Sequence, residues 1–234
     1  MNDRPNLRAG FSHYAFELVV IISGITVSFL LNEWRQDRDG RESLRRDLQA
    51  LELSLKSDRT ELQGLIEQRE KVEPSMRILL DIQNPKTTNS AELQTTFDQM
   101  INGAAFCFYP DSGAWKALVA SGNLRWIKDT DLQGALFQFY DHAVPRITDN
   151  NHLADEVIVT GLLAWLASEF PPRKGMTSSI GRLELTQENL PVFRRQLGRA
   201  LPHTSWYHQL LKVTLQQLDQ ALTAVASRLT TDGL

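Results

Sequence analysis

Apolar residues run almost unbroken over positions 14–31, and Glu17 is the only ionisable side chain among those 18. Beyond Trp34 the pattern changes. Leu44, Leu48, Leu51, Leu55, Leu62, Leu65, Val72, Met76 and Leu79 recur at alternating four- and three-residue spacings between charged neighbours. The first pattern is apolar on every side of a helix, whereas the second is a single apolar stripe seeking a partner. The second predicts a long amphipathic helix over 35–83. Asp58 and Arg69 occupy two positions of its seam and weaken it as a continuous coiled coil. Pro74 should kink or break the helix, because it lacks an N–H donor and crowds the preceding turn. "QNPKTTNS" then reads as a loop, with Ser90 capping the next helix.

The end of the chain repeats the stripe. Leu211, Leu215, Leu218, Leu222, Val225 and Leu229 alternate in the same way, on a helix of about 25 residues starting near Thr204. Two such helices either pack antiparallel within one subunit or zip between subunits. Gly24 and Leu48 point about 240° apart on a straight helix. The two stripes therefore want different partners, other copies for the first and the chain's own helices for the second, unless Gly40 relaxes the constraint.

The middle of the chain also reads as helical. Helices are expected over 91–106 and over 112–120, the latter closed by Gly122 as a left-handed cap after Ser121. "LRWIK" reads as a short extended link. Asp129 or Thr130 caps a helix to about Tyr140, and "LADEVIVTGLLAWLASEF" forms another before Pro171. Its apolar run, 157–167, has 11 residues, too few to cross a bilayer, and is expected as a central buried helix. "PPRKGMTSSIG" is a connector, and 191–200 a short helix. The fold class is all-α: an N-terminal transmembrane helix continuing into a long amphipathic helix packed in a helical bundle. The expected division is a tail over 1–13, a span over 14–34, the long helix over 35–83, and the rest of the bundle over 84–234.

At ~1.5 Å per residue the 18-residue run covers roughly 27 Å, close to the ~30 Å hydrocarbon core of a bilayer. Tyr14 and Trp34 fall where the two aromatic belts would lie, with Asn32 and Arg35 at the same interface as Trp34. The run closes in "LLNEWRQDR" without a small-x-small cleavage site, which argues against a signal peptide. Glu17 lies one turn inside Tyr14 and either reaches the headgroups or faces protein. Glu17, Ile21, Gly24 and Ser28 share one helical stripe, and "GITVS" is a small-xxx-small pattern that lets helices approach closely. This stripe is the expected contact between copies in a homo-oligomer. Assembled copies would ring their glutamates, as in some cation pathways. Arg35, Arg38, Arg41, Arg45 and Arg46 follow the span while Arg4 and Arg8 precede it, so the count of basic residues leans the helical domain toward the cytoplasm.

"YAFELVVIISGITVSFLLNEWRQDRDGRESLRRDL" resembles the start of an uncharacterised group of bacterial single-span membrane proteins. In that group an acidic residue precedes an aliphatic run with a central glycine, closing in Asn-x-Trp and an arginine-rich helix. Glu17, Gly24, Asn32 and Trp34 match those positions, whereas Ser28 stands where small or aliphatic residues are usual. "AWKALVASGNLRWIKDTDLQGALFQFYD" is similar to the group's helix, Ser-Gly turn and second helix ending in aromatics. The resemblance implies a bacterial inner-membrane protein with a single span. It brings no catalytic residues.

Composition narrows the function classes. The formal charge of -3 argues against nucleic acid as a partner. Arginine outnumbers lysine, 18 to 7, with acids interleaved throughout. The single cysteine, Cys107, rules out an internal disulfide framework and sits among apolar neighbours as an inert thiol. "HLADE" places His152 beside Asp155 and Glu156 on one helical face, but no second helix offers a matching Glu-x-x-His. Serine-elbow, phosphate-loop and zincin patterns are absent. No cofactor or metal is expected. The reading is a membrane-anchored helical bundle without enzymatic activity, an oligomeric sensor, scaffold or partner-binding subunit in contact with the bilayer and an unidentified protein. Two alternatives stand beside it: an oligomeric ion-conducting or gating assembly with Glu17 near its axis, and a membrane-tethered hydrolase or metal enzyme using His142, His152 or Asp155.

Overall fold

The computed structural model describes residues 7–84, 91–172 and 179–231, with side chains from Glu17 onward. Ser90 and most of the connector after Pro172 lie outside the described residues, as does the side chain of Tyr14. Every regular element among the described residues is helical.

Helix α1, Leu7–Leu80, is a single rod of 74 residues, about 110 Å long. Its leucine stripe is buried at all nine positions from Leu44 to Leu79. Pro74 lies inside it and does not end it, contrary to the expected break. An interior proline costs about 3 kcal/mol. Val72, Met76 and Leu79 on either side are fully buried, and each contributes roughly 1.5–3 kcal/mol of burial. The packing outweighs the proline and keeps the helix continuous. The same happens in α7, Leu190–Thr231, which runs through Pro202. The short helix over 191–200 and the one expected from Thr204 are thus one element, held by Leu197 and Ala200 before the proline and Thr204 and Tyr207 after it.

Helices α1 and α7 pack antiparallel within the chain. Arg59 Nε donates to Asp219 Oδ1 at 2.7 Å, and Lys212 Nζ lies 3.4 Å from Glu70 Oε1. The choice left open by the two stripes, pairing within or between subunits, is settled for these faces by contacts of the chain with itself.

Helix α2 covers Ala91–Ala104 and α3 Gly113–Ala120. After α3, Gly122 is left-handed at φ 71°, the only positive φ among the described residues. The segment expected as an extended link is instead a 3₁₀ turn, Asn123–Trp126, and becomes extended only at Ile127. Asp129 caps α4, Thr130–Phe137, by accepting from Asp131 N and Leu132 N. Helices α4, α5 (Val144–Ala154) and α6 (Ala164–Glu169) then join into one rod through two π-helical stretches, Gln138–Ala143 and Asp155–Leu163. The buried stripe explains why. Ala154, Ile158, Leu162, Leu166 and Phe170 follow at intervals of four. Four residues of α-helix overshoot a full turn by about 40°, and wider i→i+5 turns bring the stripe back onto the core. Pro145, which lacks an N–H, lies two residues after the end of the first π stretch, in the first turn of α5. The run over 157–167 is not central: one side is buried while Val159 and Thr160 are exposed.

Two apolar cores result. One joins the Leu44–Ile66 part of α1 to α3, α4 and the C-terminal half of α7. The other joins Val72–Ile82 to α2, the end of the rod, Ile180–Leu185 and the N-terminal half of α7.

Candidate functional site

Between the two cores lies a layer of buried polar side chains. Arg69 is 1% exposed. One guanidinium nitrogen donates to the Phe106 carbonyl at 2.8 Å, the group stacks 4.9 Å from the centre of the Tyr207 ring, and Nε has no partner among the described residues. Burial lowers its proton affinity from the usual arginine range. The Tyr207 hydroxyl donates to Asn151 Oδ1 at 2.6 Å and accepts from Phe108 N at 3.1 Å. Asn151 Nδ2 closes the ring by donating to the Phe108 carbonyl at 2.7 Å. Three helices far apart in sequence are thereby fixed to the 106–108 segment. Burial of Tyr207 pushes its hydroxyl well above the ordinary phenol range, so it stays protonated and donates.

Cys107 is half-buried beside this ring, its Sγ 3.9 Å from Asp155 Oδ1. Burial and the Asp155 charge push its thiol upward, the opposite of what activates a nucleophile. His203 and His208 flank the layer, and burial lowers both. Seam position 69 signalled this layer in the sequence. Nothing marked Asn151 or Tyr207, because their partners are distant in the chain.

The residues singled out for chemistry do not converge. His142 and His152 are exposed. Among the described residues no group of three or more His, Cys, Asp or Glu side chains is placed to hold a metal ion.

The residues singled out for the membrane lie on one helix. Glu17, Asn32 and Arg35 are exposed, as are Ile21 and Trp34. Ser28 Oγ donates to the Gly24 carbonyl at 2.9 Å, so the hydroxyl is satisfied within its own helix. Nothing lies within 4 Å of a Cβ built on Gly24. Among the described residues one helix is long and apolar enough to cross a membrane, near the N-terminus, and none of its apolar window is buried.

Where this segment meets the bundle there is a cleft of about 720 Å³. Its walls include Trp34, Arg38, Arg41 and Arg45 of α1, Trp126 at the end of the 3₁₀ turn and Lys128 just after it, and Arg228 and Leu229 of α7. Trp126 covers Gly40: a Cβ there would fall 2.5 Å from the indole.

Residues 17–160 match a family of unknown function (DUF6090). That stretch is more than half of the 234 residues. The chain belongs to this family. The DUF6090 match begins at Glu17 and takes in Arg69, Cys107 and Asn151, while Tyr207 and the rest of α7 lie beyond it. No curated protein and no solved structure matches the chain.

Proposed function

We propose that this DUF6090 protein is a membrane-anchored helical bundle without enzymatic activity, which self-associates through its span and presents the bundle to a partner protein. The observation that carries this reading is the continuity of α1. A wholly exposed apolar segment and the central seam of the bundle belong to the same unbroken helix. An exposed apolar face of that size needs lipid or protein to cover it. A continuous helix transmits any displacement or rotation of the span directly to the two cores.

The non-enzymatic part is supported by the polar layer, where Tyr207 and Asn151 satisfy each other and backbone groups. The bacterial inner membrane, with the bundle on the cytoplasmic side, is the location that the family resemblance and the arginine count favour. Contact between copies is assigned to Gly24, with Glu17, Ile21 and Ser28 beside it.

Gly24→Leu tests that contact, because a Cβ built there has nothing within 4 Å and the surrounding apolar window is wholly exposed. The oligomer mass in detergent should fall toward the monomer while helicity and melting stay unchanged. An unaltered mass would refute the contact.

A further inference from the structure

We propose that the cleft at the foot of the bundle seats the headgroup of an anionic phospholipid, an inference that rests on the anchoring proposed above. Trp34, Arg38, Arg41 and Arg45 all line it. At 100° per residue they fall within about 60° of one another on α1, whereas Arg35 and Arg46 point elsewhere. The cleft thus gathers one arginine stripe. Lys128 and Arg228 bring its cations to five against two acids, Asp37 and Glu42, so its formal charge is +3 (5 − 2) in a chain of net -3. Among the described residues Arg41, Arg45 and Lys128 enter no salt bridge. Arg38 reaches Glu42 at 3.2 Å in a pair exposed on both sides, which an incoming phosphate can readily displace.

Position and lining select a lipid over a soluble anion. Arg38 and Arg41 lie one and two turns beyond Trp34, about 6 and 10 Å along the axis. The polar region of a bilayer is roughly 5–8 Å deep on each side, so Arg38 lies at headgroup depth and the long side chain of Arg41 reaches back to it. Two tryptophans and the side chains of Leu44, Leu48 and Leu229 line the same cleft, giving apolar walls beside the charges. Leu30 and Leu31, one turn before Trp34 on α1, are exposed. An amphiphile whose phosphate meets Arg38, Arg41 and Lys128 would lay its chains along this face. Basic pockets beside a span are general anionic-lipid sites.

The test uses the full chain in detergent, with native mass spectrometry read against added phosphatidylglycerol or phosphatidylcholine. Phosphatidylglycerol adducts should form at least ten-fold more readily, and Arg41→Gln combined with Lys128→Gln should bring them down to the phosphatidylcholine level. Arg41→Gln alone, at an exposed position, should give an intermediate loss with unchanged melting, which separates binding from misfolding. Equal binding of the two lipids would overturn the site. Glycerol phosphate displacing the lipid at equal concentration would make it a soluble-anion site, also against the proposal. Loss of oligomer mass in the variants without any lipid preference would identify a contact between copies and overturn it likewise. Flotation with phosphatidylcholine vesicles reads the anchoring separately. A chain that floats yet shows no lipid preference fails only here, and one that never floats fails the anchor.

Discussion

The Arg69 guanidinium lies 4.9 Å from the centre of the Tyr207 ring, joining the C-terminal part of α1 to the middle of α7 at the boundary of the two cores. The pair fixes register, because each residue also holds the backbone of the 106–108 segment. Arg69→Ala should lower stability by about 2–4 kcal/mol, since it removes a buried stem and leaves the Phe106 carbonyl without its donor. Arg69→Met keeps the packing and removes a buried charge, so its cost should stay below about 1.5 kcal/mol. Urea denaturation of the two variants measures the difference. Equal losses would mean that the charge, not the packing, sets the energy of the layer.

Tyr207→Phe isolates the hydroxyl. The ring and its contact with Arg69 remain, but Phe108 N–H loses its acceptor and Asn151 Oδ1 a donor. Two polar groups stranded at 0% and 1% exposed residues should cost about 1–3 kcal/mol. Combined with Asn151→Ala, the loss should fall short of the sum of the single losses, because both variants break one hydrogen-bonded ring. Strict additivity in the same denaturation measurement would contradict the ring.

Asp58 gives stability a dependence on pH. It is 3% exposed. One oxygen accepts Asp111 N–H at 3.1 Å, and Oδ2 has no partner among the described residues. Burial, with added repulsion from Asp111 and Glu61 and partly opposed by the Asp111 N–H, raises its carboxyl to about 6. The folded chain therefore holds this proton more tightly than the unfolded one. The stabilisation is complete below the unfolded value near 4 and is lost as pH rises through 6. Asp58→Asn should be more stable than the parent at pH 8 by about 2–3 kcal/mol, with the advantage vanishing near pH 4. His203 and His208, both lowered by burial, act in the opposite direction on acidification below their ordinary range. The comparison is accordingly made between variant and parent at each pH, by thermal melting. A difference that stays constant from pH 4 to 8 would contradict the assignment.

At the start of α4, Asp129 Oδ1 accepts from Asp131 N at 2.9 Å and Leu132 N at 3.2 Å. Asp129→Ala should cost about 1 kcal/mol, or about 2–4 °C in Tm for a chain of this size. Asp129→Asn, which keeps an acceptor oxygen, should cost much less. A scanning melt of both variants checks this, and equal shifts would deny the cap its role.

The seam of α1 was legible because its spacing is a local property: all nine positions from Leu44 to Leu79 are buried. Gly122 was legible for the same reason, since a left-handed residue after a helix is a local demand. The prolines misled. At Pro74 and Pro202 a local cost of about 3 kcal/mol is met by burial on both sides, which the neighbouring residues alone do not reveal. The four-residue stripe from Ala154 to Phe170 fits neither helix nor strand period well, and π turns accommodate it. The polar layer was mostly hidden, because Arg69, Asn151 and Tyr207 come from three separate helices and only position 69 broke a pattern.

Gly40 sets the geometry at the foot of the bundle, and two opposing effects decide what a methyl group does there. In an exposed helix Gly→Ala gains about 1 kcal/mol. Here the added Cβ would lie 2.5–2.8 Å from three indole atoms of Trp126. The ring cannot simply retreat. Its turn is tied to α1 by Asn123 Nδ2, which donates to Ser43 Oγ at 2.9 Å and to Asp47 Oδ2 at 2.7 Å, and by Ser121 Oγ, which donates to Asp47 at 3.1 Å. Overpacking of this kind costs about 1–3 kcal/mol, so Gly40→Ala should be destabilising on balance. Adding Trp126→Ala to it should make the Gly40→Ala change stabilising, because the clash goes while the helix gain remains. Melting temperatures of the two single variants and the double variant measure this reversal of sign. A destabilising Gly40→Ala in both backgrounds would show that the indole is not what the glycine makes room for.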